Sequence, residues 1–250
     1  MARRGGDKLF QRDKEQKREA LKRHKENREK VPDIIMACED SVSAPTYFKM
    51  IVQSLLDNKL ITPDSFVIAT PNHTNPSGVL KDLKNHQTAS GKTYKDFMHK
   101  WIVIDRDIQR VNGGGHSKED FNLALFQAEK DKIEVAYSND AFELWYLLHL
   151  DYIETALLRD EINKRLIKKL KKKNPHKFAQ LHNDNIKQAN FTKHIFDELK
   201  PLQETAIKNA QRLLESYGID YNPENNNPST TVHKLVEILN NLNEGNRYVE

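Results

Sequence analysis

Short apolar runs alternate with longer amphipathic segments through the first part of the chain. The runs cover residues 34–38, 66–69, 101–104 and 133–137. The segments between them, 47–58, about 76–89 and 117–131, have the length and periodicity of helices. Strands and helices that alternate at this spacing favour right-handed crossovers and a parallel sheet covered on both sides. We therefore predict an α/β fold with a four-stranded, mainly parallel sheet flanked by helices.

The pattern changes after residue 152. Segments 153–172, 185–200, 202–217 and 229–242 have helical periodicity, and no further strand is predicted there. The apolar segment 141–150 is predicted to be a helix packed on the sheet, while residues 1–30 are almost wholly polar. The predicted organisation is a charged N-terminal arm (1–31), an α/β domain (32–152) and a helical C-terminal region (153–250).

Composition narrows the class of protein. The chain has 250 residues, of which 37% are hydrophobic and 30% charged, with a mean hydropathy of −0.79. No apolar run approaches the roughly 20 residues that span a bilayer, and the basic N-terminus leads into no apolar signal segment. A single cysteine, Cys38, suits a reducing compartment. We expect a cytoplasmic protein with no membrane partner.

Charge is segregated along the chain although the net charge is only +4. Residues 1–30 carry 12 basic and 6 acidic side chains, and residues 162–183 carry 8 basic and none acidic. An acidic middle between two basic segments can hold cations with a polyanion beside them, although a solvated charged face would have the same composition. The lysines suited to contact phosphate without base specificity are Lys168, Lys169, Lys171, Lys172 and Lys173.

Acidic residues follow two of the predicted strands directly. Glu39 and Asp40 come after the first strand, and Asp105 and Asp107 come after the third. If these strands are neighbours, the four carboxylates converge at the carboxyl edge of the sheet. Such a cluster suits Mg²⁺ or Mn²⁺, which prefer oxygen ligands. The alternative is that Glu39 or Asp40 caps the following helix.

Five blocks of the sequence are distinctive: IMACE at 35–39, PTYF at 45–48, IDRD at 104–107, SNDAFELWYLLH at 138–149 and NPSTTV at 227–232. Together they resemble the RloB-like family, which is associated with phage resistance and abortive infection and is related to Toprim nucleases. The block at 138–149 is the most specific of them. Together they extend from about residue 34 to 240.

The resemblance implies a Toprim-like fold and a divalent-metal-dependent nuclease. Glu39 matches the Toprim glutamate and candidate general base, Asp105 and Asp107 match its aspartate pair, and Glu143 matches an acid that completes a second metal site in related nucleases. Relatives have a glycine where this chain has Asp40, and they have a glutamate where it has Ala44. Either Asp40 replaces the missing acid, or the site binds metal weakly.

Other readings of the same residues stay open. Arg106, between the two aspartates, is a candidate phosphate contact or an exposed turn residue. The loop GGGH at 113–116 is either mobile or a gate that carries a proton-transfer histidine, His116.

Other functions are also open. The missing acid at position 44 suits a nucleic-acid- or partner-binding module without catalysis. An acid pair after one strand also suits a phosphoacceptor switch, although Ser138, Asn139 and Asp140 stand where that switch needs a lysine. The substrate is RNA, including transfer RNA, or DNA. By analogy with the family an ATPase partner is expected, and the oligomeric state is open.

Overall fold

The computed structural model describes residues 33–110 and 114–243. The predicted charged arm, Gly113 of the glycine loop and the last seven residues lie outside these ranges. The centre of the described chain is a five-stranded sheet with the order β2-β1-β3-β4-β5. The strands are β1 (Ile34–Cys38), β2 (Phe66–Ile68), β3 (His99–Asp105), β4 (Glu134–Asn139) and β5 (Ser229–Thr230). The first four are mutually parallel, and β5 runs antiparallel to β4.

Helices cover both faces of this sheet. They are α1 (Ser43–Asp57), α2 (Pro76–Asn85), α3 (Lys118–Lys130), α4 (Glu143–Leu148), α5 (Arg159–Lys173), α6 (Ala189–Leu199), α7 (Gln203–Tyr217) and α8 (Val232–Asn243). Short 3-10 turns occur at Pro63–Ser65, Tyr94–Asp96, Lys200–Leu202 and Gly218–Asp220. The predicted α/β class is confirmed. No helix of the described ranges combines the length and apolar character that a bilayer crossing requires.

Alternate side chains of β1 to β4 enter two separate apolar layers. Met36 and Trp101, which are paired in register, face the larger layer, which includes α1 and the helices after β4. Ile35 and Ile102 face the smaller layer, which is closed by α2 and α3. Because side chains alternate along a strand, runs that are apolar throughout are buried on both faces. The two layers hold the carboxyl ends of β1 and β3 at one edge.

The prediction of four strands is wrong, because Ser229 and Thr230 add a fifth. This strand pairs with Ser138 and Asn139 of β4. It is only two residues long and polar, so it has no apolar alternation by which sequence analysis could find it. Its hydroxyl groups are satisfied inside the fold: Thr230 donates to the carbonyl of Tyr137 at 2.8 Å, and Ser138 shares a 3.0 Å bond with Thr230.

The helix predicted from residue 153 begins only at Arg159. The preceding residues are not helical because distant side chains hold their backbone. The amide of Leu157 donates to Asn227 at 2.9 Å, and Asn227 donates back to the Leu157 carbonyl at 2.9 Å. The amide of Arg159 donates to the carboxylate of Asp140 at 2.9 Å. These long-range bonds override a local helical pattern and place Arg159 near the end of β3.

His149 follows α4 and is only 2% exposed. Its Nδ1 lies 2.8 Å from the Trp145 carbonyl oxygen, and its Nε2 lies 3.5 Å from the Tyr47 hydroxyl. Burial lowers the pKa of His149 to about 4. An unfolded histidine has a pKa near 6.5, so the unfolded chain binds more protons between these values and stability falls on acidification.

We expect His149 to cost about 3 kcal/mol of the free energy of unfolding as the pH falls from 7 to below 4. Urea unfolding at several pH values measures this loss. His149→Gln should remove this part of the pH dependence, whereas His182→Gln, a change at an exposed histidine, should keep it. An unchanged slope in His149→Gln would contradict the assignment.

Candidate active site

The carboxyl ends of β1 and β3 are neighbours, which meets the condition for the predicted convergence of carboxylates, and Glu39 lies where they meet. The amide of Glu39 donates to the Val103 carbonyl at 2.9 Å, and Glu39 Oε2 accepts from the amide of Asp105 at 3.0 Å. An open cleft of about 740 Å³ begins here. It is lined by Glu39, Asp40, Ser41, Pro71, Asn72, His73, Thr74, Asn75, Asp105, Asp107, Gly114, Gly115, His116, Arg159 and Lys187.

The second oxygen of Glu39 pairs with His116. Glu39 Oε1 lies 2.6 Å from His116 Nε2, and both side chains are nearly buried. Burial lowers the pKa of His116, but the hydrogen bond and the charge of Glu39 outweigh it, so the pKa is raised. The pair can therefore hold a proton between a carboxylate and an imidazole at the floor of the cleft.

Gly115 lets the His116 segment lie against the aspartate turn. The amide of His116 donates to the Asp107 carbonyl at 2.7 Å. Gly115 has φ +75°, and a Cβ there would lie 2.5 Å from the Ile108 carbonyl oxygen and 2.6 Å from that of Asp107. Both the positive φ and the close backbone approach require glycine. This contact places the histidine of the glycine loop in the cleft.

Asp105 and Asp107 share one arginine. Arg159 Nη2 lies 2.9 Å from Asp105 Oδ2 and 3.1 Å from Asp107 Oδ2, and both aspartates are buried. Arg110 also pairs with Asp107, at 2.5 Å. Burial and then the charge of Glu39 raise the pKa of Asp105 well above its usual range, although Arg159 opposes them. Burial lowers the pKa of Arg159, but the neighbouring carboxylates have a larger effect, so the net pKa is raised.

Asp140 holds the aspartate turn in place. Asp107 has a positive φ of 24°, which is uncommon for a residue other than glycine. The Asp140 carbonyl accepts from the Asp107 amide at 2.9 Å, and its Oδ1 accepts from the Ile108 amide at 2.8 Å. Its Oδ2 binds the Arg159 amide. One buried side chain therefore fixes both the aspartate turn and the backbone of its arginine partner.

Asp40 and Glu143 are held at the start of α1. Asp40 accepts from the amides of Val42 at 2.7 Å and Ala44 at 3.2 Å, so its carboxylate binds backbone amides at the start of this helix, of which Val42 is the N-cap residue. Glu143 Oε1 accepts from Ser43 at 2.9 Å and pairs with Lys187 at 3.4 Å. Burial raises the pKa of Glu143, but the positive charges of Lys187 and then Arg159 have the larger, opposite effect, so the net shift is downward.

Lys187 is the cation that these two acids share. Burial lowers its pKa, but Glu143 and Asp40 outweigh burial and raise it. For Asp40, burial is the largest influence and the net pKa is raised, although Lys187 opposes it. Lys187 therefore stays charged at the edge of the cleft.

The prediction that Arg106 contacts phosphate or lies exposed in a turn is corrected. Arg106 is 2% exposed and is directed away from the cleft, toward Phe121. Its guanidinium donates to the carbonyl oxygens of Glu224 and His116, both at 3.3 Å. It therefore positions the backbone of the His116 segment. Arg159 is the arginine that lines the cleft.

The five predicted phosphate-binding lysines divide between faces of α5. Lys168, Lys169 and Lys172 line a surface groove of about 410 Å³ together with Arg165. Lys171 lines a different depression, and Lys173 lies 3.8 Å from Glu198. Residues three or four positions apart share a helix face, which separates these groups. The basic groove thus consists of three predicted lysines and one further arginine.

The donor set can be compared with what a divalent cation requires. Among the described residues, no three His, Cys, Asp or Glu side chains are arranged to hold a metal ion as they stand. Arg159 lies between the two aspartates instead. The donors are nevertheless carboxylate oxygens, and the buried Glu143 Oε2 has no hydrogen-bond partner within the described part of the chain. The donor chemistry therefore fits a hard cation such as Mg²⁺ or Mn²⁺.

Several residues of the cleft were not found by sequence reasoning. Arg159, Lys187 and His73 occur in segments with no recognisable motif. Asp140 had a signal, because it lies in the most specific block at 138–149. The structure brings Glu39, Asp40, Asp105 and Asp107 to one cleft and leaves Glu143 just beyond its lining.

A comparison with protein families identifies a match. The family model described as RloB-like protein matches residues 34–239, a range that includes all strands of the described chain and the residues that line the cleft. No curated protein matches the chain. No solved structure matches it either.

Proposed function

Because the chain belongs to the RloB-like family, we propose that it is a divalent-metal-dependent nuclease of Toprim type that acts as an effector of anti-phage defence. The observation that carries this proposal is the gathering of Glu39, Asp105 and Asp107 in one cleft with Arg159 and Lys187. Carboxylates suit the cations, and the basic side chains suit the phosphate of a nucleic acid.

Glu39, Asp105 and Asp107 would hold the cation, with Asp40 and Glu143 nearby as further oxygen donors. When bound, Mg²⁺ or Mn²⁺ would polarise a phosphodiester and make a water molecule easier to deprotonate. The protein supplies the geometry around it. Asp140 fixes the aspartate turn, and the core layers hold the two strand ends side by side.

The remaining groups of the cleft act on phosphate and protons. Arg159 and Lys187 place two positive charges beside the carboxylates and favour an anionic substrate. Glu39, with His116 2.6 Å away, is the candidate base that accepts the proton of the attacking water. Arg159 replaces Arg106 as the proposed phosphate contact, because its guanidinium lies in the cleft.

The substrate class proposed is RNA, including transfer RNA, or DNA. The groove of Arg165, Lys168, Lys169 and Lys172 offers a second phosphate-binding surface without base specificity. Association with an ATPase and a place in the cytoplasm belong to this proposal by analogy with the family.

The test is to incubate the purified protein with total RNA and plasmid DNA in Mn²⁺, Mg²⁺ or EDTA and to sequence the new ends. We expect cleavage with either cation and none in EDTA, and the ends would identify the substrate. The proposal would be contradicted if cleavage were equal in EDTA, or if neither RNA nor DNA were cleaved with Mn²⁺ or with Mg²⁺.

A second candidate is a binding module that lacks catalysis. Two observations favour it: Ala44 stands where relatives have an acid, and the present ion pairs leave no three-donor metal group in the described chain. In this case RNA or DNA should bind equally well in EDTA and with Mn²⁺, and no ends should appear. Metal-dependent cleavage would exclude this candidate.

The basic groove makes a prediction that holds for both candidates. The triple variant Arg165→Gln, Lys168→Gln, Lys172→Gln should reduce the slope of log affinity for RNA against log salt by about 2 units. The reason is that binding releases fewer counterions when three phosphate contacts are lost. Binding measured from 50 to 300 mM salt tests this. Replacing Lys130, Lys193 and Lys208, which are exposed on other helices, should leave the slope unchanged. An unchanged slope in the groove variant would contradict its role.

A further inference from the structure

His73 lines the cleft from the loop between β2 and α2. Its Nδ1 lies 2.6 Å from Asp82 Oδ1, while 37% of its side-chain surface is exposed. Asp82, on α2, is buried, and its Oδ2 accepts from the amides of Asn72 at 2.8 Å and His73 at 2.9 Å. One carboxylate therefore orients both the backbone and the ring of His73.

This arrangement determines which ring nitrogen of His73 carries the proton when the ring is neutral. Burial raises the pKa of Asp82, but hydrogen bonds from Asn72 and His73 outweigh it and lower the pKa. An ionised carboxylate only accepts hydrogen bonds, so Nδ1 of His73 must donate. The other nitrogen, Nε2, has no hydrogen-bond partner among the described residues. It is the one polar atom of the ring that remains for a molecule in the cleft.

Gly78 makes room for the imidazole. A Cβ at this position, in the first turn of α2, would lie 2.4 Å from His73 Cβ and 2.7 Å from His73 Cγ. These contacts are too short for any side chain, so only glycine lets the helix approach the ring this closely. The loop is also fixed at Asn75, which donates to Asp120 of α3 at 3.0 and 3.1 Å. The histidine is held from three directions.

We propose that His73 is the general acid of the cleft, a role that rests on the proposed nuclease function. Glu39 occupies the end of β1 as candidate base, and His73 reaches the same cleft from the loop after β2. Water oxygen forms the new bond to phosphorus, and its proton goes to the base. The bond from phosphorus to the leaving sugar oxygen breaks with its electron pair, and that oxygen takes the Nε2 proton of His73 in its doubly protonated, imidazolium form. The neutral ring keeps its Nδ1 proton and regains the other from solvent.

The first test needs neither metal nor substrate. Nitrogen-15 NMR of the imidazole rings, with His73 assigned through His73→Gln, should show the proton of the neutral ring on Nδ1. In Asp82→Asn the amide oxygen must still accept from the two backbone amides, so its NH₂ group faces the ring. The tautomer should then switch to Nε2–H. A wild-type ring protonated on Nε2 would overturn the proposal.

The second test uses the leaving group. Substrates carry either oxygen or sulfur at the scissile ester position mapped by end sequencing, because a thiolate leaves without protonation. His73→Gln should slow cleavage of the oxygen ester by about 10²-fold or more, and cleavage of the sulfur ester by only a few-fold. Gly78→Ala, which displaces the ring, should show the same selectivity in kcat. His182→Gln, which removes a histidine paired with Asp184 outside the cleft, should change neither rate.

The outcomes separate this assignment from the proposed function. If Glu39→Gln is inactive and His73→Gln cleaves the oxygen ester at the wild-type rate, the acid assignment fails and the nuclease stands. Equal losses on both esters in a folded His73→Gln also overturn the assignment, because a structural defect would not depend on the leaving group. A wild-type protein that cleaves nothing overturns both.

Discussion

Replacing Asp105 with asparagine should abolish nucleic-acid cleavage while the protein stays folded. We expect the cleavage rate to fall by at least about 10³-fold. The substitution removes a negatively charged ligand of the metal ion and with it several kcal/mol of transition-state stabilisation. Folding should survive because asparagine has the same shape. Burial and the charge of Glu39 already disfavour the ionised aspartate, so a neutral amide relieves repulsion rather than adding it.

The measurement is single-turnover cleavage in Mn²⁺, with urea unfolding as the test of the fold. Asp184→Asn is the matched control, because Asp184 is a solvent-exposed aspartate outside the cleft. It should cleave at the wild-type rate. Full activity in a folded double variant, Glu39→Gln with Asp105→Asn, would be incompatible with the proposed function.

Replacing Arg159 with methionine should lower the free energy of unfolding in EDTA by about 3 kcal/mol. The substitution removes the shared partner of Asp105 and Asp107 and leaves two buried carboxylates facing each other. Breaking a buried ion pair from one side is costly, because Asp105 is left with no basic partner among the described residues, whereas Asp107 keeps Arg110. Methionine keeps most of the side-chain volume, so the loss reports charge rather than packing.

Added Mn²⁺ should recover part of this loss. A ligand that binds only the folded state stabilises it in proportion to its occupancy, and the variant no longer places a guanidinium between the aspartates. Urea unfolding with and without Mn²⁺ measures both effects. Arg212→Met, at an exposed pair with Glu154, should cost no more than about 1 kcal/mol and show no extra response to the cation. If Arg159→Met is as stable as wild type in EDTA, the buried ion pair does not support the fold.

Much of the fold is predictable because it depends on local periodicity. The run 34–38 is a strand with the predicted bounds. The second strand is one residue shorter than predicted, the third is longer at both ends, and the fourth begins one residue later and ends two residues later. The strand at Ser229 and Thr230 was missed because two polar residues carry no periodicity, and its pairing with β4 is a long-range event. The late start of α5 has the same cause, since Asn227 and Asp140 override a helical pattern from a distance.

The candidate site divides in the same way. The positions of Glu39, Asp105 and Asp107 directly after strands are readable in the chain, and parallel topology then brings the strand ends together. The partners of these acids cannot be predicted from the sequence. His116 lies 77 residues from Glu39 in the chain, and Arg159 lies 54 residues from Asp105. No spacing rule connects side chains so far apart in the chain.

The sequence by itself determined the alternation of strands and helices, the faces that are buried and the carboxylates that end two strands. It could do so because these properties depend on residues a few positions apart. Only the tertiary structure decided that Arg106 is directed into the core, that Arg159 and Lys187 face the acids, and that His73 is oriented by Asp82 over Gly78. Such contacts depend on how separate elements pack, and packing is a property of the whole chain.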